Sequence, residues 1–172
     1  MVQLALDEML VFPTGRAWHK QRVLTPAVHR LAMARLAFEG VPGVVVDERE
    51  LHRAGPTYTI DTLHELQTGL PHAAFFLLIG QDQAAALSAW HCADQLPKIA
   101  TICIAGRADS KRAADLFDLK TPLPAGAIAL ELPAMAISAT EVRQRVAAGL
   151  RIDHLVAPPV ARYIAQHFLY TS

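Results

Sequence analysis

A doubly wound α/β domain built on a parallel sheet is the fold class this sequence predicts. Short apolar runs alternate with helical patterns along the chain, and the runs are apolar throughout instead of at every second residue. Parallel strands need a crossover, usually a helix, and helices on both faces remove the polar alternation of a half-exposed strand.

The elements follow in order. Residues 1–6 read as the tail of a helix, and residues 9–12 as a short buried strand stopped by Pro13, Thr14 and Gly15. The next loop, TGRAWHK, is polar and basic. Thr25 and Pro26 form an N-cap and first-turn pair for a helix whose apolar positions run through Val28, Leu31 and Phe38 until Gly40. A β-branched strand at 44–46, a helix at 59–67 through Ile60, Leu63 and Leu66, and an apolar strand at 74–79 come next. The alternation continues with a helix at 81–96, a strand at 101–105, a polar helix at 110–119, a loop at 119–126 and a strand at 128–132. Two C-terminal helices, 138–148 and 159–168, complete the chain.

Composition narrows the function classes. With 172 residues, 52% of them hydrophobic, the chain supports one core, so residues 1–172 are expected to form a single domain. Sixteen basic and sixteen acidic residues balance, which disfavours nucleic acid or an anionic membrane as partner and requires any anion site to be local. Cys92 and Cys103 show no CxxC spacing, and the histidines show no HxH or HxxxH spacing. Neither a disulfide scaffold nor a protein-built metal site is indicated. The start MVQLALDEM lacks a signal-peptide layout and no apolar run approaches the roughly 18 residues of a membrane span, so a cytoplasmic location is expected.

Chemistry is expected in the loops after strands, because ligands of such sheets sit beyond the carboxyl ends, here the loops from Pro13, Gly80 and Gly106. The sharpest local pattern is ISATEVR at 137–143. Ser138 with Glu141 is a capping box, and Thr140 and Arg143 add a hydroxyl and a guanidinium beside an amide-rich helix start that suits a phosphate. Taken alone, the same residues also serve as a plain helix start with a solvated arginine. Gly80 and Asp82 follow the apolar strand, where glycine allows close backbone approach and the carboxylate can accept ribose hydroxyls; a turn glycine and a capping aspartate are the simpler roles. Tyr58 and Thr59 precede a helix able to hold a carboxylate, and Trp90 offers a flat stacking face, with helix capping and core packing as their structural roles. His19 and Lys20 lie with Arg16 and Arg22 in the basic loop. A GxSxG elbow, a Walker loop and a GxGxxG fingerprint are all missing, which weakens hydrolase, P-loop and dehydrogenase readings.

The motifs in this order resemble the nicotinate mononucleotide adenylyltransferases of the HxGH nucleotidyltransferase superfamily. The matching stretches are FPTGRAWHK (12–20), HRLAM (29–33), DERELHRAGPTYTIDTL (47–63), FLLIGQD (76–82), the WH pair at Trp90, ISATEVR (137–143) and VARYIAQHFLY (160–170). The resemblance implies a Rossmann-like fold that transfers the adenylyl group of ATP to nicotinate mononucleotide with Mg²⁺. By position it implies that Ile137, Ser138, Thr140 and Arg143 hold the ATP phosphates, and Gly80 and Asp82 the ribose region. Tyr58, Thr59 and Trp90 would take the nicotinate ring and its carboxylate, and Thr14, His19 and Lys20 the mononucleotide and phosphate side. A homo-oligomer is compatible with the sequence and not specified by it.

One departure is large. The family begins with a strand leading into GGxFxPxHxGH, and nothing of that kind precedes Met9, so no catalytic residue is assigned and the gene product is expected to start further upstream. Loss of each preorganised donor is expected to slow the reaction about 10²- to 10³-fold. In this family the absent strand lies centrally in the sheet, so the expected chain carries two unpaired strand edges. Two other readings stay open: a nucleotide-binding module without catalysis, and another adenylyltransferase such as the pantetheine phosphate type, against which PTYT and Trp90 speak.

Overall fold

The computed structural model describes residues 2–15, 24–107, 126–133 and 137–171. The chain divides into two compact units, one made of Met1–Thr57 with Ala136–Ser172 and the other of Tyr58–Met135. Each has its own parallel sheet.

In the first unit, β1 (Met9–Val11) pairs in parallel with β2 (Val44–Val46), Met9 opposite Val44 and Val11 opposite Val46. The crossover between them carries α1 (Ala27–Phe38). Met9 N–H donates to Gly43 and Asp47 N–H to Val11, so both ends of the short ladder are tied. A one-turn helix, α2 (Arg49–His52), follows β2. The C-terminal helices α6 (Ala139–Ala147) and α7 (Pro158–Gln166) contribute Val142 and Val160, Ala161 and Ile164 to a core that Ile152 of the connection between them completes, and Met33 and Leu36 of α1 pack against it. Spacings of three and four residues place these apolar positions on one stripe of each helix.

The second unit opens with α3 (Thr59–Gly69), which buries Ile60, Leu63 and Leu66 as its spacing predicts. Then come β3 (Phe75–Gly80), α4 (Gln81–Ala85), α5 (Leu96–Ile99), β4 (Ala100–Arg107) and β5 (Ile128–Leu132). The strands are parallel in the order β3-β4-β5, so their carboxyl ends lie on one side. Burial is deepest on β4, where Ile102, Cys103 and Ile104 are at most 2% exposed. The same burial pushes the Cys103 thiol upward in pKa by disfavouring its thiolate.

The α/β class and parallel pairing agree with the sequence, and several local expectations are corrected. Among the described residues the strands form two sheets, with β1 bonded to β2 and β3 to β4. Cover on both faces holds for central β4, whereas Leu78 of β3 is 42% exposed and β5 buries only Leu130, because an edge strand has fewer neighbours over it. The helix expected at 81–96 is α4, a 3-10 turn at Leu87–Ala89 and, beyond a stretch of turns, α5. Pro97 lies in the first turn of α5 and cannot lie inside a longer helix. Residues 1–6 contain a 3-10 turn at Val2–Leu4, followed by Ala5 at φ 48°, in place of a helix tail. Thr25 does not cap α1; Pro26 occupies that position and the Thr25 hydroxyl donates to Tyr170 Oη at 3.0 Å. The helix expected at 110–119 lies outside the described residues.

Candidate active site

Ser138 stands at the N-cap of α6 with extended backbone, and its Oγ accepts the Glu141 N–H at 3.1 Å. One turn on, Arg143 Nη2 donates to Thr140 Oγ1 at 3.1 Å, as side chains three apart on a helix can. Ile137, Ser138 and Thr140 are exposed and Arg143 is half-buried. This helix start therefore presents a hydroxyl and a guanidinium already bonded to each other, beside first-turn amides that lack partners within the helix. Such a group can accept an oxyanion with little rearrangement.

The second unit presents a different set. Gly80 ends β3 and occupies the N-cap of α4 at φ −77°, ψ 164°, and a Cβ there would meet nothing within 4 Å. The space beside this glycine is open in the fold around it. Asp82 is exposed in the first turn of α4. Tyr58 holds the N-cap of α3 with extended backbone and no side-chain cap bond, and half-buried Thr59 begins the helix. Trp90, also half-buried, packs against the core cluster of this unit together with Tyr58.

His91 joins these segments. Its ring lies over Tyr58 with centroids 4.2 Å apart and planes 28° apart. Residues 58–59 and 90, distant in sequence, are thereby brought to one place within the unit. The sequence carried one weak signal for this, a second ring-bearing residue directly after Trp90.

On the first unit, Thr14 follows the carboxyl end of β1 and its carbonyl accepts a short hydrogen bond from Arg30 Nη1. Arg30 Nη2 reaches the Gly15 carbonyl at 3.4 Å and Arg30 Nε the Thr25 carbonyl at 2.9 Å. Burial lowers the pKa of this guanidinium. Arg30 falls within the matching stretch HRLAM (29–33) but was given no role in the sequence. His19 and Lys20, with Arg16 and Arg22, lie outside the described residues. After β2, Asp47 accepts from Arg49 Nη2 at 2.6 Å and Nε at 2.9 Å; this hydrogen bonding holds the Asp47 carboxyl below its usual pKa. Among the described residues no group of three or more His, Cys, Asp and Glu could hold a metal ion.

Comparison with known proteins then places the chain. A Cytidylyltransferase-like family model matches residues 2–145. A relative from Albidiferax ferrireducens, named probable nicotinate-nucleotide adenylyltransferase, is 52% identical over 172 residues, all of this chain and 87% of the relative. The chain belongs to the nicotinate-nucleotide adenylyltransferase family. A family member of the same name from Methylibium petroleiphilum is 39% identical over 97% of this chain and 80% of its own length. Among solved structures, the Plasmodium falciparum nicotinic acid mononucleotide adenylyltransferase complexed with NaAD aligns at a TM-score of 0.71 and 19% identity. It covers 96% of this chain and 83% of its own, and shows that the fold is shared.

Proposed function

We propose that this chain transfers the adenylyl group of ATP to nicotinate mononucleotide, giving deamido-NAD and pyrophosphate in NAD biosynthesis. The observation that supports the reading is the Tyr58–His91 stack, which brings the start of α3 and the Trp90 segment together, and we assign the flat nicotinate ring and its carboxylate there. Support comes from family membership over the whole chain.

In this reaction a phosphate oxygen of the mononucleotide attacks the α-phosphorus of ATP. A P–O bond forms there as the bond to the β-phosphate breaks, and pyrophosphate leaves with the bonding electrons. The nucleophile is already ionised, so catalysis depends on alignment and charge stabilisation and needs no general base. Ile137, Ser138, Thr140 and Arg143 take the ATP phosphates; Gly80 and Asp82 take the ribose region. Tyr58, Thr59 and Trp90 hold the nicotinate group, while Thr14, His19 and Lys20 serve the mononucleotide phosphate. Mg²⁺ enters with ATP, since this cation binds mainly through phosphate oxygens and water. Residues 1–172 act as a single nucleotidyltransferase domain, cytoplasmic and able to form a homo-oligomer; among the described residues no helix is long and apolar enough to cross a membrane.

The test is pyrophosphate release from ATP with nicotinate mononucleotide, nicotinamide mononucleotide or phosphopantetheine as acceptor. Release that is fastest with nicotinate mononucleotide is expected. Equal or faster release with either other acceptor overturns the substrate assignment. A second reading rests on one sequence fact, that no HxGH occurs in these 172 residues: binding of ATP and nicotinate mononucleotide without pyrophosphate would make this chain a binding module.

A further inference from the structure

Arg30 holds three main-chain carbonyls, and their positions in the chain are informative. Thr14 and Gly15 lie where the chain leaves β1, and Thr25 where it enters α1. A guanidinium can bind all three because its donors form a rigid planar fork; a lysine ammonium offers a point charge on a flexible stem. The same spot is closed from the opposite side. A Cβ added to Gly15 would overlap the Glu50 carbonyl and come within 2.6 Å of Thr57 Oγ1, and both Glu50 and Thr57 are buried. Gly15 is therefore pressed between an arginine that pulls on its carbonyl and a wall that admits no side chain. Thr57 directly precedes the Tyr58–Thr59 pair in sequence.

An arginine placed only for stability is better used on a carboxylate, because removing a cation from water is costly unless strong acceptors replace it. Arg30 is instead spent on carbonyls at both ends of one connection, while burial, by removing water from the cation, lowers its pKa. We propose that Arg30 is a positioning residue for mononucleotide binding: it sets Thr14 and Gly15 at the carboxyl end of β1 by tying them to Thr25, without itself touching substrate. The proposal rests on the assignment of Thr14 to the mononucleotide side. A displacement on the order of 1 Å of a substrate-positioning group can cost about 100-fold, so small errors in the Thr14 backbone matter.

The experiment uses Arg30→Lys, which keeps the charge and loses the fork, and Gly15→Ala, which disturbs the same point from the other side. Four quantities are measured on each purified chain: affinity for nicotinate mononucleotide, affinity for ATP, Tm, and amide hydrogen exchange in the absence of ligand. Both variants are expected to weaken nicotinate mononucleotide about tenfold or more while ATP changes less than about twofold. Arg30→Lys should also raise exchange at Thr14, Gly15 and Thr25 above that of the wild-type chain while exchange in β4 stays unchanged. Unchanged mononucleotide affinity overturns the proposal, as does an equal loss of both ligands that follows a lowered Tm. If the wild-type chain fails to bind nicotinate mononucleotide, the substrate assignment falls, and the exchange pattern still decides whether Arg30 ties the two ends. Unchanged exchange at those three residues would show that it does not.

Discussion

The two helix starts assigned to substrate are built in opposite ways. At α6 the start is held locally: the Ser138 side chain caps it, Thr140 and Arg143 bond to each other, and Val142 is the buried residue of the helix. At α3 no side chain caps the start, and the helix is held by burial of Ile60, Thr62, Leu63 and Leu66 with the Tyr58–His91 stack at its head. A locally capped start can sit in solvent and meet a mobile polyphosphate. A start held by the core is fixed in place, which suits a rigid ring whose carboxylate must meet the amides in one orientation.

Cutting the anchor of α3 should give the largest effect. Leu63→Ala removes a side chain that is 5% exposed and is expected to lower stability by about 2–5 kcal/mol, read by chemical denaturation. A loss below about 1 kcal/mol would mean that α3 is not held by its core. Trp90→Ala should weaken nicotinate mononucleotide by about 1–3 kcal/mol, the range of base–aromatic stacking, with ATP affinity kept. Unchanged calorimetric affinity would return Trp90 to packing alone.

Ser138→Ala should cost about 0.5–2 kcal/mol of stability, whereas Thr59→Ala should cost less because no side-chain bond caps α3. Equal losses in thermal melts would erase the contrast between the two starts. The smallest effect concerns another local polar tie, Asp47 with Arg49. Its carboxyl titrates lower in the folded chain than in the unfolded one, so the tie contributes stability above the unfolded pKa of about 3.9 and loses it as pH falls through the folded value. Asp47→Asn is therefore expected to lower Tm at neutral pH by an amount that shrinks on acidification. A gap that widens as pH falls would reverse the assignment.

The features legible in the sequence were those with local causes. Ser138 followed three residues later by Glu141 specifies a helix start in any surroundings, and residues 128–132 emerge as the strand expected. The parallel class followed from apolar runs separated by helical spacing. Where local signals were ambiguous, the reading failed. The stretch 81–96 has helical composition, yet burial of Leu87 and Leu96 and a proline at 97 favour a 3-10 turn and a separate short helix. Thr25 looked like a cap until Tyr170, far along the chain, claimed its hydroxyl.

Periodicity and capping are interactions between residues a few positions apart, so the order of strands and helices, the α6 cap and the motifs that mark the family were determined by the sequence alone. Tertiary structure decided which distant groups meet: His91 on Tyr58, Arg30 on the carbonyls of 14, 15 and 25, and Gly15 against Glu50 and Thr57. Those contacts depend on how the chain closes on itself, and side-chain identity carries little information about which of many distant carbonyls or rings will lie within reach.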